Sequence, residues 1–215
     1  MVTLYTYFRS SAAYRVRIAL NLKGIGYHSR FVHLLRRGGE QRQPAYLKLN
    51  PQGLVPALVD GGTVITQSLA IIAYLDERYP QPPLLPTDVK ARAYVRSLAQ
   101  LVACDIHPLN NLRVRQYLAT CGRHSEAEWQ AWYRHWIQEG FKALEAQLAA
   151  HPAADRYCYG NYPTVADICL VPQVYNAHRF NCQLDDYPLL SSIYRHCSVL
   201  KAFQEAAPEC QLDAS

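Results

Sequence analysis

Apolar and polar positions follow a short pitch in the first part of the chain and a longer one thereafter. Leu4 to Phe8 and Tyr27 to Val32 are short runs rich in aromatic and β-branched residues, which predicts two strands. Between them Val16, Ala19, Leu20 and Lys23 recur at three- and four-residue spacing, predicting a helix that closes at Gly24. The loop from Leu34 to Asn50 is longer than packing requires and holds a short helical turn around Pro44 to Leu47. Val55 to Val59, a turn at Asp60-Gly61-Gly62 and Val64 to Thr66 then read as a hairpin. Pro56 has no N–H for a ladder, so it must stand at the start or edge of its strand, and it is a candidate for a cis bond. Thr66-Gln67-Ser68 opens an amphipathic helix, Leu69 to Arg78, expected to bury Leu69, Ile72, Ala73 and Leu75.

Four prolines, Pro80, Pro82, Pro83 and Pro86, end that helix and form a stiff connector. Beyond Asp88 no strand pattern recurs, and helical periods cover 88–107, 110–120, 125–150, 165–179 and 188–206. Residues 1–80 are thus expected to form an α/β domain in the order β-α-β-α-β-β-α, 81–87 a Pro-rich linker, and 88–215 an all-helical domain. Thr164 and Asp167 are spaced as a capping box. Trp129, Trp132, Tyr133, Trp136 and Phe141 sit at helical spacing and read as core packing, not as a ligand box.

With 215 residues, 50% of them hydrophobic and 18% charged, the chain can bury a substantial core. Its net charge of +5 is modest and no Lys/Arg stripe occurs, so neither nucleic acid nor a membrane surface is expected as a partner. An acidic small molecule fits the excess charge. The sequence enters strand-like residues by position 2 with no targeting pattern before them, and a cytoplasmic protein is expected. Seven cysteines are scattered singly with no metal-ligand spacing. They read as free thiols, and no metal site is expected.

The candidate chemistry lies where the first strand runs into the first helix, at Ser10-Ser11. The first turn of a helix has backbone N–H groups without intrahelical partners and a partial positive charge, so it holds anions. Phosphate loops fill such a turn with Gly, and this one has none. A hydroxyl donor in that place suits a small anion such as a thiolate, although Ser is also an ordinary N-cap.

The plan as a whole resembles the cytosolic glutathione transferases, in which a thioredoxin-like domain precedes an all-helical one. Arg9-Ser10-Ser11-Ala12-Ala13-Tyr14-Arg15-Val16-Arg17-Ile18-Ala19-Leu20 is similar to the zeta-class signature RSSCSxRVRIAL. The likeness continues through Asn50 to Pro56, Asp105 to Leu112 and Leu170 to Phe180, four words in order and at matching spacing along essentially the whole chain. The resemblance implies glutathione as cofactor, with Ser10 or Ser11 donating a hydrogen bond to its sulfur and Ser10 the principal residue. It further implies Gln67 and Ser68 at the γ-glutamyl carboxylate, and Val55 pairing its backbone with the cysteinyl peptide at an edge presented by cis Pro56. Gln41 and Gln52 are candidates for the glycyl end. His107 and Asn111 are implied at the glutathione site, on one helical face if the helix survives Pro108.

Arg9 and Arg179 fall inside family words and suit a substrate with acidic ends, since a guanidinium binds carboxylates bidentately. Arg15 and Arg17 read as structural ties. Zeta-class members include maleylacetoacetate and maleylpyruvate isomerases, which turn a cis double bond trans with glutathione as catalyst. The resemblance therefore implies such an isomerase, a small diketo acid substrate, first maleylacetoacetate, and a homodimer. Transfer to, or dehalogenation of, α-haloacids is the alternative. One departure matters: the family often has Cys after the two serines, and here that position is Ala12.

Overall fold

A computed structural model describes residues 2–214. The chain forms two compact units, one made of the chain up to Leu84 together with its segment from Val199 onward, the other of Leu85–Ser198.

The first unit begins with β1 (Val2–Thr6), α1 (Ser11–Leu22) and β2 (Tyr27–Phe31). Two 3₁₀ turns, Arg36–Gly38 and Glu40–Arg42, lead to α2 (Pro44–Leu47), β3 (Ala57–Asp60), β4 (Thr63–Thr66) and α3 (Ser68–Arg78). The sheet order is β2-β1-β3-β4. β1 and β2 are parallel, as the intervening α1 crossover requires, and β3 runs antiparallel to both β1 and β4. Along β1 the period of two places Val2, Leu4 and Thr6 on the fully buried side and leaves Thr3 and Tyr5 half-buried. The Val55–Pro56 and Gln81–Pro82 peptide bonds are cis.

α3 buries Ser68, Ile71, Ile72 and Leu75, an i, i+3, i+4, i+7 stripe that corrects the expected one. Ala73 is exposed. The apolar run Leu69 to Ala73 is unbroken, so periodicity alone could not choose which side faces inward. At the far end of α1, Lys23 is buried. Its ammonium donates to Tyr79 O at 2.6 Å and Pro82 O at 2.8 Å and pairs with Asp76 at 2.7 Å, fixing the exit of α3 and the Pro-rich segment.

The helical unit comprises α4 (Val89–Gln100), α5 (Leu112–Thr120), α6 (Glu126–Ala149), α7 (Val165–Arg179) and α8 (Pro188–Ser198). The helix expected over 88–107 is not uniform: after α4 the chain widens into a π-helical turn, Leu101–Ile106, then tightens into a 3₁₀ turn, His107–Asn110. Pro108 has no N–H for an α ladder, which accounts for the change of pitch there. Trp129, Tyr133 and Phe141 are buried and Trp132 and Trp136 half-buried, in keeping with a core role. At the start of α7, Thr164 and Asp167 form the expected capping box.

The period expected over 188–206 is interrupted after Ser198, and α9 (Lys201–Ala206) is a separate helix followed by a 3₁₀ turn, Pro208–Cys210. This closing segment packs on α1 in the first unit, not with the helical unit as the expected boundary of 88–215 had it. Its inward residues, Phe203 and Ala206, fall out of step with Leu190, Ile193 and Cys197 of α8, six residues separating Cys197 from Phe203, as a break between two helices requires.

Candidate active site

Ser10 is the N-cap of α1. Its backbone is extended, its Oγ accepts from Ala13 N at 3.2 Å, and its carbonyl accepts from Tyr14 N at 2.8 Å. Accepting one hydrogen bond leaves the hydroxyl hydrogen available to donate. Ser11 occupies the first helical position and is buried, whereas Ser10 is half-buried. No acidic residue stands in the first turn of α1, so no side chain of that turn offsets the partial positive charge there. Arg9 is exposed beside this turn, with its guanidinium 4.9 Å from the centre of the Phe8 ring.

A second helix N-terminus in the same unit carries Gln67 and Ser68. The N-cap is Gln67, held at φ 69°, and no side-chain cap is made. Ser68 is the first helical residue, buried, and its Oγ accepts from Arg15 Nη1 at 3.3 Å. Gln67 Nε2 donates to Gln52 Oε1 at 2.8 Å, bringing together two residues assigned to the cofactor from separate words of the sequence. Val55 precedes β3, whose ladder begins at Ala57, and the neighbouring Leu54 carbonyl is held by Tyr46 Oη at 2.6 Å and Asn50 Nδ2 at 2.8 Å.

Gln41, the other candidate for the glycyl end, belongs to the 3₁₀ turn Glu40–Arg42. Its side chain is buried inside its own loop, with Nε2 donating to Leu34 O at 3.3 Å and Oε1 sealed from solvent. A Cβ on Gly39 would come within 2.6 Å of that amide, so the glycine admits the packing and the amide braces the loop.

In the helical unit His107 and Asn111 do not share a helical face, which corrects that expectation. His107 opens the 3₁₀ turn, and Asn111 is the N-cap of α5, its Oδ1 accepting from Arg113 N at 3.1 Å. The 3₁₀ turn is tied to α6 through Trp132 Nε1 to Leu109 O at 2.9 Å and Asn110 Nδ2 to Tyr133 O at 3.2 Å. α6 approaches the π turn so closely at Gly140 that a Cβ there would strike Ile106, the residue before His107. Arg179 ends α7, where a cation complements the helix dipole, and it is exposed, 5.3 Å from the centre of the Phe180 ring.

The chain's buried thiols are poorly suited to act as nucleophiles. Burial pushes the Cys158 and Cys197 thiols up and raises Cys182 to about 11. Among the described residues no cluster of His, Cys, Asp and Glu could hold a metal, and no helix is long and apolar enough to cross a membrane.

Two supporting residues were set aside in the sequence as structural ties. Arg15 and Arg17 are 1% and 0% exposed, Arg15 buried against α3 and Arg17 against the turn. Two cations in an otherwise apolar helical face were the available signal, because a buried charge demands dedicated partners.

Residues 9–78 match the family model described as Glutathione S-transferase, N-terminal domain. A probable maleylacetoacetate isomerase of Vibrio cholerae is 53% identical, over 98% of this chain and 97% of that protein. The holo structure of a maleylpyruvate isomerase, a bacterial glutathione S-transferase in the zeta class, superposes with a TM-score of 0.96 at 48% identity, covering 99% of this chain and 100% of that one. A maleylacetoacetate isomerase from Methylobacterium extorquens AM1, with malonate and glutathione bound, gives 0.95 at 41% identity, covering 99% of both chains. With a thioredoxin-like unit, a helical unit and relatives matched over nearly their full length, the chain belongs to the zeta-class glutathione transferase family.

Proposed function

We propose that this protein is a glutathione-dependent cis–trans isomerase that converts maleylacetoacetate to fumarylacetoacetate, with Ser10 as its catalytic hydroxyl. The observation that carries the reading is the start of α1, where a hydroxyl free to donate caps a helix whose first turn holds no acid. Bound glutathione supplies the thiolate that adds to the substrate's conjugated double bond, permits rotation and leaves again. A free thiol with a pKa of about 8.5 is mostly protonated at neutral pH, and a hydroxyl donor at a helix N-terminus lowers that value.

The other residues are assigned by what they can offer. Ser68 and the first N–H groups of α3 receive the γ-glutamyl carboxylate, with Arg15 fixing the Ser68 hydroxyl. The hydrogen-bonded Gln52 and Gln67 amides meet the peptide's polar groups, and Val55, before the β3 ladder, offers its backbone. Ser11 supports the turn from its buried position, and His107 and Asn111 serve glutathione from the helical unit. Arg9 and Arg179, both exposed, bind substrate carboxylate and the negative charge that develops on the substrate's oxygen during addition. Relatives named for the same chemistry, and one solved with malonate and glutathione bound, support the choice.

Maleylpyruvate is the second reading, favoured by the 48% identity to the maleylpyruvate isomerase. The test follows the ultraviolet absorbance of each cis acid with enzyme and a catalytic trace of glutathione, then titrates the remaining thiol. Loss of the cis acid with glutathione intact is expected, faster for maleylacetoacetate. Thiol consumed in step with turnover would replace the isomerase by a transferase or dehalogenase acting on haloacids. The same reading makes the protein a cytoplasmic homodimer serving aromatic amino acid catabolism, and light scattering reporting a monomer mass would refute the dimer.

A further inference from the structure

The segment that closes on α1 does more than cover it. Tyr14, Arg17 and Asn21 form an i, i+3, i+7 stripe on α1, and each meets a carbonyl of the closing segment: Tyr14 Oη to Phe203 O at 3.5 Å, Arg17 Nε to Ala206 O at 2.9 Å, Asn21 Nδ2 to Ala202 O at 3.0 Å. Arg17 then reaches back under the turn that precedes Ser10. Nη1 donates to Thr6 Oγ1 at 3.1 Å and Tyr7 O at 3.4 Å, and Nη2 donates to Phe8 O at 3.0 Å. Tyr7 O is the same oxygen that accepts from Ser10 N at 3.0 Å. From the other side the closing segment supplies Asp213, whose Oδ2 accepts from Phe8 N at 3.0 Å. The peptide group of Phe8 is thus held at its N–H by one charged residue and at its carbonyl by another.

We propose that the closing segment is a strut for the serine-bearing turn, in which Arg17 and Asp213 are positioning residues that aim the Ser10 hydroxyl through Tyr7 and Phe8. The physical need is plain: a donor misplaced by about 1 Å can lose of order a hundredfold in rate. Burial lowers the Arg17 pKa to about 10, with Asp213 among the groups opposing that shift, so the guanidinium stays charged at neutral pH. Its five donors and planar fork suit it to gather several carbonyls, which a lysine could not do at these positions.

The inference rests on the assignment of Ser10, and its test separates the two. Bound glutathione is titrated by its thiolate absorbance in the wild type, S10A, Asp213→Ala, Asp213→Asn and Arg17→Lys, with kcat, glutathione affinity and melting temperature measured on each. Asp213→Ala is expected to raise the bound thiol's pKa by about half a unit to one unit and to lower kcat about five- to tenfold, with glutathione affinity within about twofold. Asp213→Asn, which keeps an oxygen for Phe8 N–H, is expected to restore both readouts. Arg17→Lys is expected to move the thiol pKa in the same direction as Asp213→Ala. A shift in S10A with none in Asp213→Ala, or no rescue by Asp213→Asn, overturns the strut alone. An unmoved titration in S10A overturns the Ser10 assignment and the strut with it.

Discussion

Of the helices that begin with a hydroxyl at the N-cap, α1 and α7 are used in opposite ways. At α7, Thr164 is followed at the third helical position by Asp167, whose carboxylate accepts from Thr164 N at 2.7 Å, Thr164 Oγ1 at 2.8 Å and Cys158 N at 2.7 Å. The chain has supplied its own anion and buried it completely. At α1, Ser10 caps in the same manner, but the position equivalent to Asp167 is Ala13 and no acid is present. The first arrangement is finished and structural, the second has room for an anion from outside. The lesson is that a helix N-terminus becomes a binding site only where the sequence declines to fill it.

Removing the α1 hydroxyl tests the open member of the pair most severely. S10A is expected to reduce turnover about 100- to 1,000-fold, as loss of one preorganised donor does, while the lost cap costs about 1 kcal/mol of stability. Initial rates of isomerisation beside a urea titration measure both.

At the closed terminus the expectation reverses. Asp167→Ala leaves buried donors unpartnered and should destabilise by about 2–4 kcal/mol, while activity per folded molecule holds. A fall in specific activity without loss of stability would show that α7 is not merely structural.

The sharpest variant makes α1 resemble α7. Ala12→Asp places a carboxylate in the first turn, on a half-buried position, where it competes with the incoming thiolate. Activity should fall about tenfold through a raised thiol pKa and weaker glutathione binding, with stability level or slightly improved. Titration of the bound thiol and glutathione affinity report it.

The smallest expected effect is a pH dependence at α7. Burial raises the Asp167 carboxyl above its ordinary value of 3.8, against the pull of its donors. The folded protein therefore binds this proton more readily than the unfolded chain. Asp167's contribution to stability is greatest below pH 3.8 and declines as pH rises through the window up to the raised folded value. Unfolding free energies of Asp167→Asn across that window should lack this decline.

Much of the architecture was legible because it rests on local rules. The β-α-β-α-β-β-α order follows from a switch in apolar period, and the capping box of α7 from two residues three apart. The stripe of α3 was misread because Leu69 to Ala73 are all apolar, so that only the buried sheet beneath could choose the face. The placement of Gln41 inside its loop depends on Gly39, which no pattern weights. His107 and Asn111 were separated by a change of helical pitch at Pro108, a residue that signals interruption without saying how the chain continues. The least legible parts were the ties of Arg17 and Asp213, since a hydrogen bond between Phe8 and Asp213 joins residues 205 positions apart. Sequence separation of that order leaves no periodic trace.

That long tie also sets the order in which the molecule can be made. The thioredoxin-like unit is discontinuous, and the Tyr14, Arg17 and Asn21 face of α1 has no cover until the segment from Val199 has been synthesised, whereas Leu85–Ser198 is a single continuous stretch. At ribosomal speeds the delay is on the order of ten seconds, far longer than helices and hairpins need to form. The part of the protein that leaves the ribosome first is therefore the last to be completed, and a chain truncated after Ser198 would carry a whole helical unit behind an unfinished thioredoxin-like one.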